Sequence, residues 1–273
     1  MSACEKALVH LERANALQSR IASSVRFRLR ATSMYAPLPV DDALRRIRAL
    51  AAEDRHPLAL AHTRLVEGRL LGMKGEAERA RELVRGARQM YAEAGLLVTA
   101  GGMAIAEAEL DLELGDLERA ESILLDGLGL LERIGDRIYY PTLAVMLARA
   151  LLNQERFSDV REWLDRARAT SAADDIVNFI FIDFIESALL AHDGRLVEAE
   201  AAGRRAVDLA DTTDYVYARP LAHSYFAEAL ALAGKRDEAL EHARVAIEIL
   251  DAKGNVMLAA RLRERLAAVG LDV

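Results

Sequence analysis

Cysteine is almost absent from the chain: Cys4 stands alone among 273 residues. A single thiol excludes an internal disulfide and a cysteine-based zinc site, and it fits a reducing compartment. Proline is nearly as scarce, at five residues. With so few breakers, and with alanine, leucine, glutamate and arginine abundant, the chain is disposed to helix almost throughout. Long apolar runs are missing too. Nothing approaches the roughly 20 consecutive residues that cross a membrane. The N-terminal "MSACEKALVHLERANAL" is charged at regular intervals and has no signal-peptide core. The expected location is therefore cytoplasmic. An excess of positive charge is also lacking. The net charge is −7, whereas a phosphate backbone demands a basic face, so nucleic acid is not an expected partner. The basic stretch "VRFRLR" at 25–30 reads as solvated arginines along a helix.

What the chain does have is one turn, made repeatedly. "GMKGEAERARELV" (72–84), "LELGDLERAESIL" (112–124), "AHDGRLVEAEAAG" (191–203) and "LAGKRDEALEHAR" (232–244) each pass from glycine through polar residues into an alanine-bearing helical pattern. In register, Gly75, Gly115, Glu155, Gly194 and Gly234 stand 40, 40, 39 and 40 residues apart. Other positions keep that spacing. Seven residues before the turn stand Gly68, Ala108, Ala148, Ser187 and Ala227. Five after it come Ala80, Ala120, Val160, Ala199 and Ala239, and seven further on Ala87, Gly127, Ala167, Ala206 and Ala246. Fourteen of these fifteen residues are Gly, Ala or Ser. Small residues there let two antiparallel helices approach closely, through one point on helix A and two points on one face of helix B. A second break follows each helix B, at Gly95, Gly135, Asp175, Asp214 and Gly254. Glycine suits a helix C-terminus and Asp the next N-cap. In this register "IVNFIFIDFIE" (176–186), which could pass for a strand, is a helix A.

A small residue, a turn, Ala, six residues and Ala in a two-helix unit resembles the tetratricopeptide repeat, although the usual period is about 34 residues and ends on a proline missing here. Longer helices are implied. "YAPLPVDDALRRIRALAAE" (35–53), "MKGEAERARELVRGARQMYAEAGL" (73–96) and "YVYARPLAHSYFAEALALAGKRDEALEHARVAIEILDAKGN" (215–255) are similar to the C-terminal repeat region of bacterial class III adenylate/guanylate cyclases. Those proteins join a cyclase and a STAND-type ATPase to a tetratricopeptide tail. The expected fold is all-α: a right-handed α-α superhelix, a tetratricopeptide-like solenoid of five to six extended repeats over residues 1–273. Residues 4–17 carry Ala7 and Ala14 at the seven-residue spacing of a helix B with no helix A before it. Segment 1–17 is thus an incomplete repeat, and its unpaired helix offers a route to a homo-oligomer. At the other end, 256–270 turns Leu258, Leu262 and Leu266 to one side and reads as a capping helix.

Catalytic signatures are missing. There is no phosphate-binding G-x-x-x-x-G-K-[ST], no H-E-x-x-H and no G-x-S-x-G. The six histidines never stand at i, i+4, so no helical metal pair forms. His192 beside Asp193 reads as a helix end rather than a dyad. Glu67, Glu107 and Glu186 recur at one register position and are expected to be solvated or salt-bridged rather than a cation site. No enzyme, cofactor or metal is expected. In a solenoid, helices A line a concave face. The residues after the small helix-A position, Arg69, Glu109, Arg149, Ala188 and Glu228, would point into it. Leu65, Ile105, Val145, Phe184 and Ser224 would lie one turn away. The expected function is a non-catalytic interaction scaffold that docks a peptide or a protein domain, resembling the cyclase–ATPase tail. The alternative is a small-effector sensor of a STAND-type regulator; an enclosed polar pocket favours that, an open groove the scaffold.

Overall fold

The computed structural model describes residues 3–14, 20–53 and 57–273, and every regular element among them is a helix. α1 (Ala3–Arg13) packs on α2 (Arg20–Tyr35), which pairs with α3 (Val40–Glu53). Five further pairs follow: α4 (Pro57–Met73) with α5 (Ala77–Glu93), α6 (Leu97–Gly102) and α7 (Ala104–Leu114) with α8 (Leu117–Ile134), α9 (Tyr140–Asn153) with α10 (Phe157–Thr170), α11 (Ile176–His192) with α12 (Leu196–Ala210), and α13 (Ala218–Leu232) with α14 (Arg236–Lys253). α15 (Val256–Ala268) follows α14. The segment 176–186 is helical, as its register requires. Of the N-terminal segment 1–17, residues 3–13 are α1; positions 1–2 and 15–17 lie outside the described residues.

All fifteen small-residue positions are buried. Their pairing is direct. A Cβ built on Gly68 would come within 2.9 Å of the Ala80 carbonyl and 2.7 Å of Val84. Three repeats later in the array, Ser187 at the same position donates to the Ala199 carbonyl at 2.7 Å. Helices A and B touch backbone to side chain, so a larger residue would push them apart. Four of the five turns place glycine at positive φ; the fifth has Glu155 at φ 58, a conformation that costs an L residue roughly 1 kcal/mol or more. The N-caps are sequence-local. Asp175 accepts from Asn178 N, Asn255 accepts from Leu258 N, and Asp136 accepts from the amides of Ile138, Tyr139 and Tyr140 ahead of Pro141 in the first turn of α9.

The second helix A is interrupted at Met103, which separates α6 from α7. Gly101 and Gly102 directly precede the break, and glycine is a weak helix former. The Tyr139 ring lies so close to Gly102 that a Cβ there would stand 2.5 Å from it.

Helices α4, α7, α9, α11 and α13 pack successively on one another and form the inner wall, with the B helices outside. The array curls until its ends meet. The Lys253 ammonium, at the end of α14, donates to the carbonyls of Ser33, Ala36 and Leu38 at 2.9, 2.9 and 2.8 Å. Val216 N donates to Tyr35 O at 2.9 Å. α15 packs against α13, α7 and α4 across the interior, with Leu258, Leu262 and Leu266 all buried. It therefore plugs the concave side.

The arginines of 25–30 depart from the expectation of solvation. Arg26 and Arg30 are buried, with Arg30 donating to Leu50 O at 3.0 Å, and only Arg28 is exposed. α2 packs against α1, α3 and α4, while Ile21, Ser24, Arg28 and Thr32 form an exposed stripe along it.

Candidate functional site in the concave interior

α7 carries Glu109 and Glu113 four residues apart, so both carboxylates share one face. That face meets Arg69 of α4. The Arg69 Nη2 lies 2.9 Å from Glu113 and 3.3 Å from Glu109, and none of the three side chains is more than 2% exposed. Tyr35, at the end of α2, donates to Glu109 at 3.1 Å, and Asn255 donates to Glu113 at 3.5 Å. Burial pushes the Glu109 pKa up to about 7, and the Glu113 charge adds to this; Arg69 and Tyr35 oppose it. Burial disfavours the Arg69 charge, but its two carboxylates outweigh that and hold its pKa above the ordinary value.

A tyrosine layer joins this cluster to the other half of the wall. Tyr35 meets Tyr215 edge to face, with centroids 4.7 Å apart. The Tyr217 ring sits between two guanidiniums, Arg69 at 5.9 Å and Arg149 at 5.4 Å. Arg149 Nη1 donates to the Tyr217 hydroxyl at 2.5 Å.

Beyond this layer, α15 does not fill the interior completely. A cleft of about 420 Å³ remains, and Leu112, Arg149, Asn153, Tyr225, Glu228 and Arg265 are among its walls. Arg265 lies 3.8 Å over the Tyr225 ring and bonds Glu228 at 2.6 Å. Tyr225 donates to Asn153 at 3.1 Å and stacks on Phe184 at 4.7 Å.

The sequence-derived residues divide cleanly. Arg149, Ala188 and Glu228 line the cleft. Arg69 and Glu109 form the adjoining buried ion cluster. Leu65, Val145 and Phe184 are in the hydrophobic core, Ile105 packs partly buried against it, and Ser224 is buried. Sequence reasoning missed Tyr35, Tyr217, Tyr225, Asn153, Asn255, Lys253 and Arg265. One signal was available: three of the chain's seven tyrosines fall within 215–225.

Glu67, Glu107 and Glu186 are salt-bridged, with Arg48 at 2.7 Å, Arg88 at 2.5 Å and Arg205 at 2.9 Å respectively. Among the described residues no group of His, Cys, Asp and Glu could hold a metal ion. His192 stacks on Phe157 at 3.6 Å while Asp193 pairs with Arg161 at 2.6 Å, so the two side chains serve different neighbours. No described helix is long and apolar enough to cross a membrane.

No protein-family model matches the sequence, and no curated protein does. Solved structures match in fold. NprR in complex with its cognate peptide NprX aligns with a TM-score of 0.65 at 14% identity, over 96% of this chain and 81% of that one. A Rap protein complexed with Competence and Sporulation Factor aligns at 0.56 and 12%, over 84% and 70%. BtubC (BKLC) from P. vanneervenii aligns at 0.52 and 16%, over 82% and 91%. At such identities the likeness establishes the fold alone: a tetratricopeptide-like helical solenoid.

Proposed function

We propose that the chain is a non-catalytic regulatory module that holds a peptide in the cleft of its concave face. The cleft between α15 and the inner wall carries this reading. Its volume of about 420 Å³ falls within the range of ligand sites, and its walls combine aliphatic, aromatic and charged groups. Two of the structures similar in fold are described as complexes, NprR with the peptide NprX and Rap with Competence and Sporulation Factor. Because first and last repeats meet, the ligand is short rather than a long segment running the length of a groove. A role in bacterial signalling or transcription control rests on the sequence resemblance to cyclase–ATPase tails; a cytoplasmic location rests on the lone cysteine and the charged N-terminal segment, and a single repeat domain over 1–273 on the 40-residue register. Self-association would use α1.

The compactness of the cleft also suits a small effector, which keeps the sensor reading in view. Affinity selection decides. The immobilised chain should retain a subset of a random heptapeptide pool, and Ala188→Trp, which fills the cleft from α11, should abolish retention. Equal retention by that variant, or none by the wild type, would refute peptide docking there.

A further inference from the structure

The cations of the interior are almost all answered. Arg69 has two carboxylates, Arg265 has Glu228, Arg261 has Glu264 and the Leu114 carbonyl, and Lys253 has three carbonyls. Arg149 is the exception. It is 2% exposed, yet no carboxylate among the described residues lies within ion-pairing distance, and its one hydrogen bond goes to the neutral Tyr217 hydroxyl. Its buried Nε has no acceptor. Burial works against its charge, and only the Tyr217 and Tyr225 side chains and the Glu109 carboxylate, beyond ion-pairing distance, act in its favour. Arg149 also lines the cleft.

We infer that Arg149 is the receptor for a carboxylate, and that the ligand presents this group to the floor of the cleft. The inference rests on the peptide reading, and gives that ligand its chemistry: an Asp or Glu side chain or a free C-terminus. A guanidinium with an unused edge binds a carboxylate through two parallel hydrogen bonds. The other acids of the cleft do not compete for it. Glu228 is taken by Arg265, Glu264 by Arg261, and Glu155 is exposed at the rim, where water and salt screen it. Leu112, Leu152 and Leu258 around the floor favour an aliphatic neighbour beside the carboxylate.

The test uses the full chain and three heptapeptide pools. The first lacks Asp and Glu and is C-terminally amidated; the second is the same with free C-termini; the third is amidated but contains Asp and Glu. At least one carboxylate-bearing pool should be retained tenfold or more above the first, and the pool favoured tells terminus from side chain. Arg149→Gln, which can still donate to Tyr217, should remove the preference without lowering the unliganded melting temperature; Arg149→Lys should keep part of it. Equal retention of all three pools overturns the inference and leaves peptide docking standing. If the wild type retains no peptide, docking fails, and titration with succinate decides the remainder. An Arg149-dependent rise in melting temperature upholds the carboxylate site for a small acid, and no rise overturns it.

Discussion

Lys253→Met tests whether the solenoid is held shut by its ends. Methionine keeps most of the apolar stem and removes only the ammonium, so packing is little disturbed. What is lost is well defined. Three hydrogen bonds of 2.8–2.9 Å run from one cation to the last carbonyls of α2 and the following loop. None of the three has a helical partner, although the Ala36 carbonyl also accepts from Leu38 N at 2.7 Å, and Ser33 belongs to the last turn of α2, the negative end of its dipole. Burial pulls the Lys253 pKa down to about 8, so the group is still charged at neutral pH with all three protons engaged. Hydrogen bonds to a charged group contribute about 1.5–3 kcal/mol each, and the desolvation of the ammonium offsets several kcal/mol of the sum. A net loss of about 3 kcal/mol follows, worth about 6–12 °C for a chain of this size. The donor and acceptors are 215–220 residues apart. The first effect is therefore separation of the ends, not unfolding of a helix pair. Small-angle scattering should show a larger radius of gyration. Hydrogen exchange should quicken around 33–40 and 250–258 while α8 to α12 stay protected, with the far-UV spectrum unchanged at room temperature. Unchanged scattering and a melting point within about 1 °C of wild type would refute closure by this clasp.

Glu155→Gly relieves a left-handed residue and should stabilise the chain by about 1 kcal/mol in urea unfolding; a loss would show the turn to be unstrained. Ala167→Leu should cost about 1–3 kcal/mol, against about 0.5 or less for Glu118→Leu on the exposed turn, and equal stabilities would break the register. Arg119, on the same turn, is no substitute control because it bonds the buried Asp111 at 2.9 Å. Arg69→Met strands two buried carboxylates and should cost about 3–5 kcal/mol, whereas Arg149→Met strands none and should leave the melting temperature level or higher; the reverse order would refute the charge reasoning. Glu109, with its folded pKa raised to about 7, contributes stability that is full at low pH and lost as pH rises toward 7. Wild type should therefore lose stability relative to Glu109→Gln between about pH 4.5 and 7 in parallel urea titrations, and a flat difference would show that the carboxyl is not shifted.

The helix pairs are readable from the sequence because each is a local matter. A turn and three small residues within some twenty positions settle how helix A meets helix B, and all fifteen such positions are buried. Closure is not local. It depends on a small rotation between neighbours summed over six pairs, so a few degrees at each step decide whether Tyr35 meets Tyr215 or faces water. The contact from Lys253 to the α2 carbonyls has no periodic signature at all.

The same distinction explains the site. Of the positions after the small helix-A residue, Arg149, Ala188 and Glu228 line the cleft, and Arg69 and Glu109 pair with each other beside it. What the register omits is how much water remains there. In an open groove Arg69 and Arg149 would be hydrated and their lack or possession of a partner would matter little. With the ends joined and α15 laid across the interior, both are at most 2% exposed, and the dielectric around them falls. A partner then becomes an energetic requirement. Arg69 finds two carboxylates on α7, while Arg149 finds a phenol and an open cleft. Two arginines at equivalent positions are thus separated by closure into one that holds the fold together and one that is left for a ligand to complete.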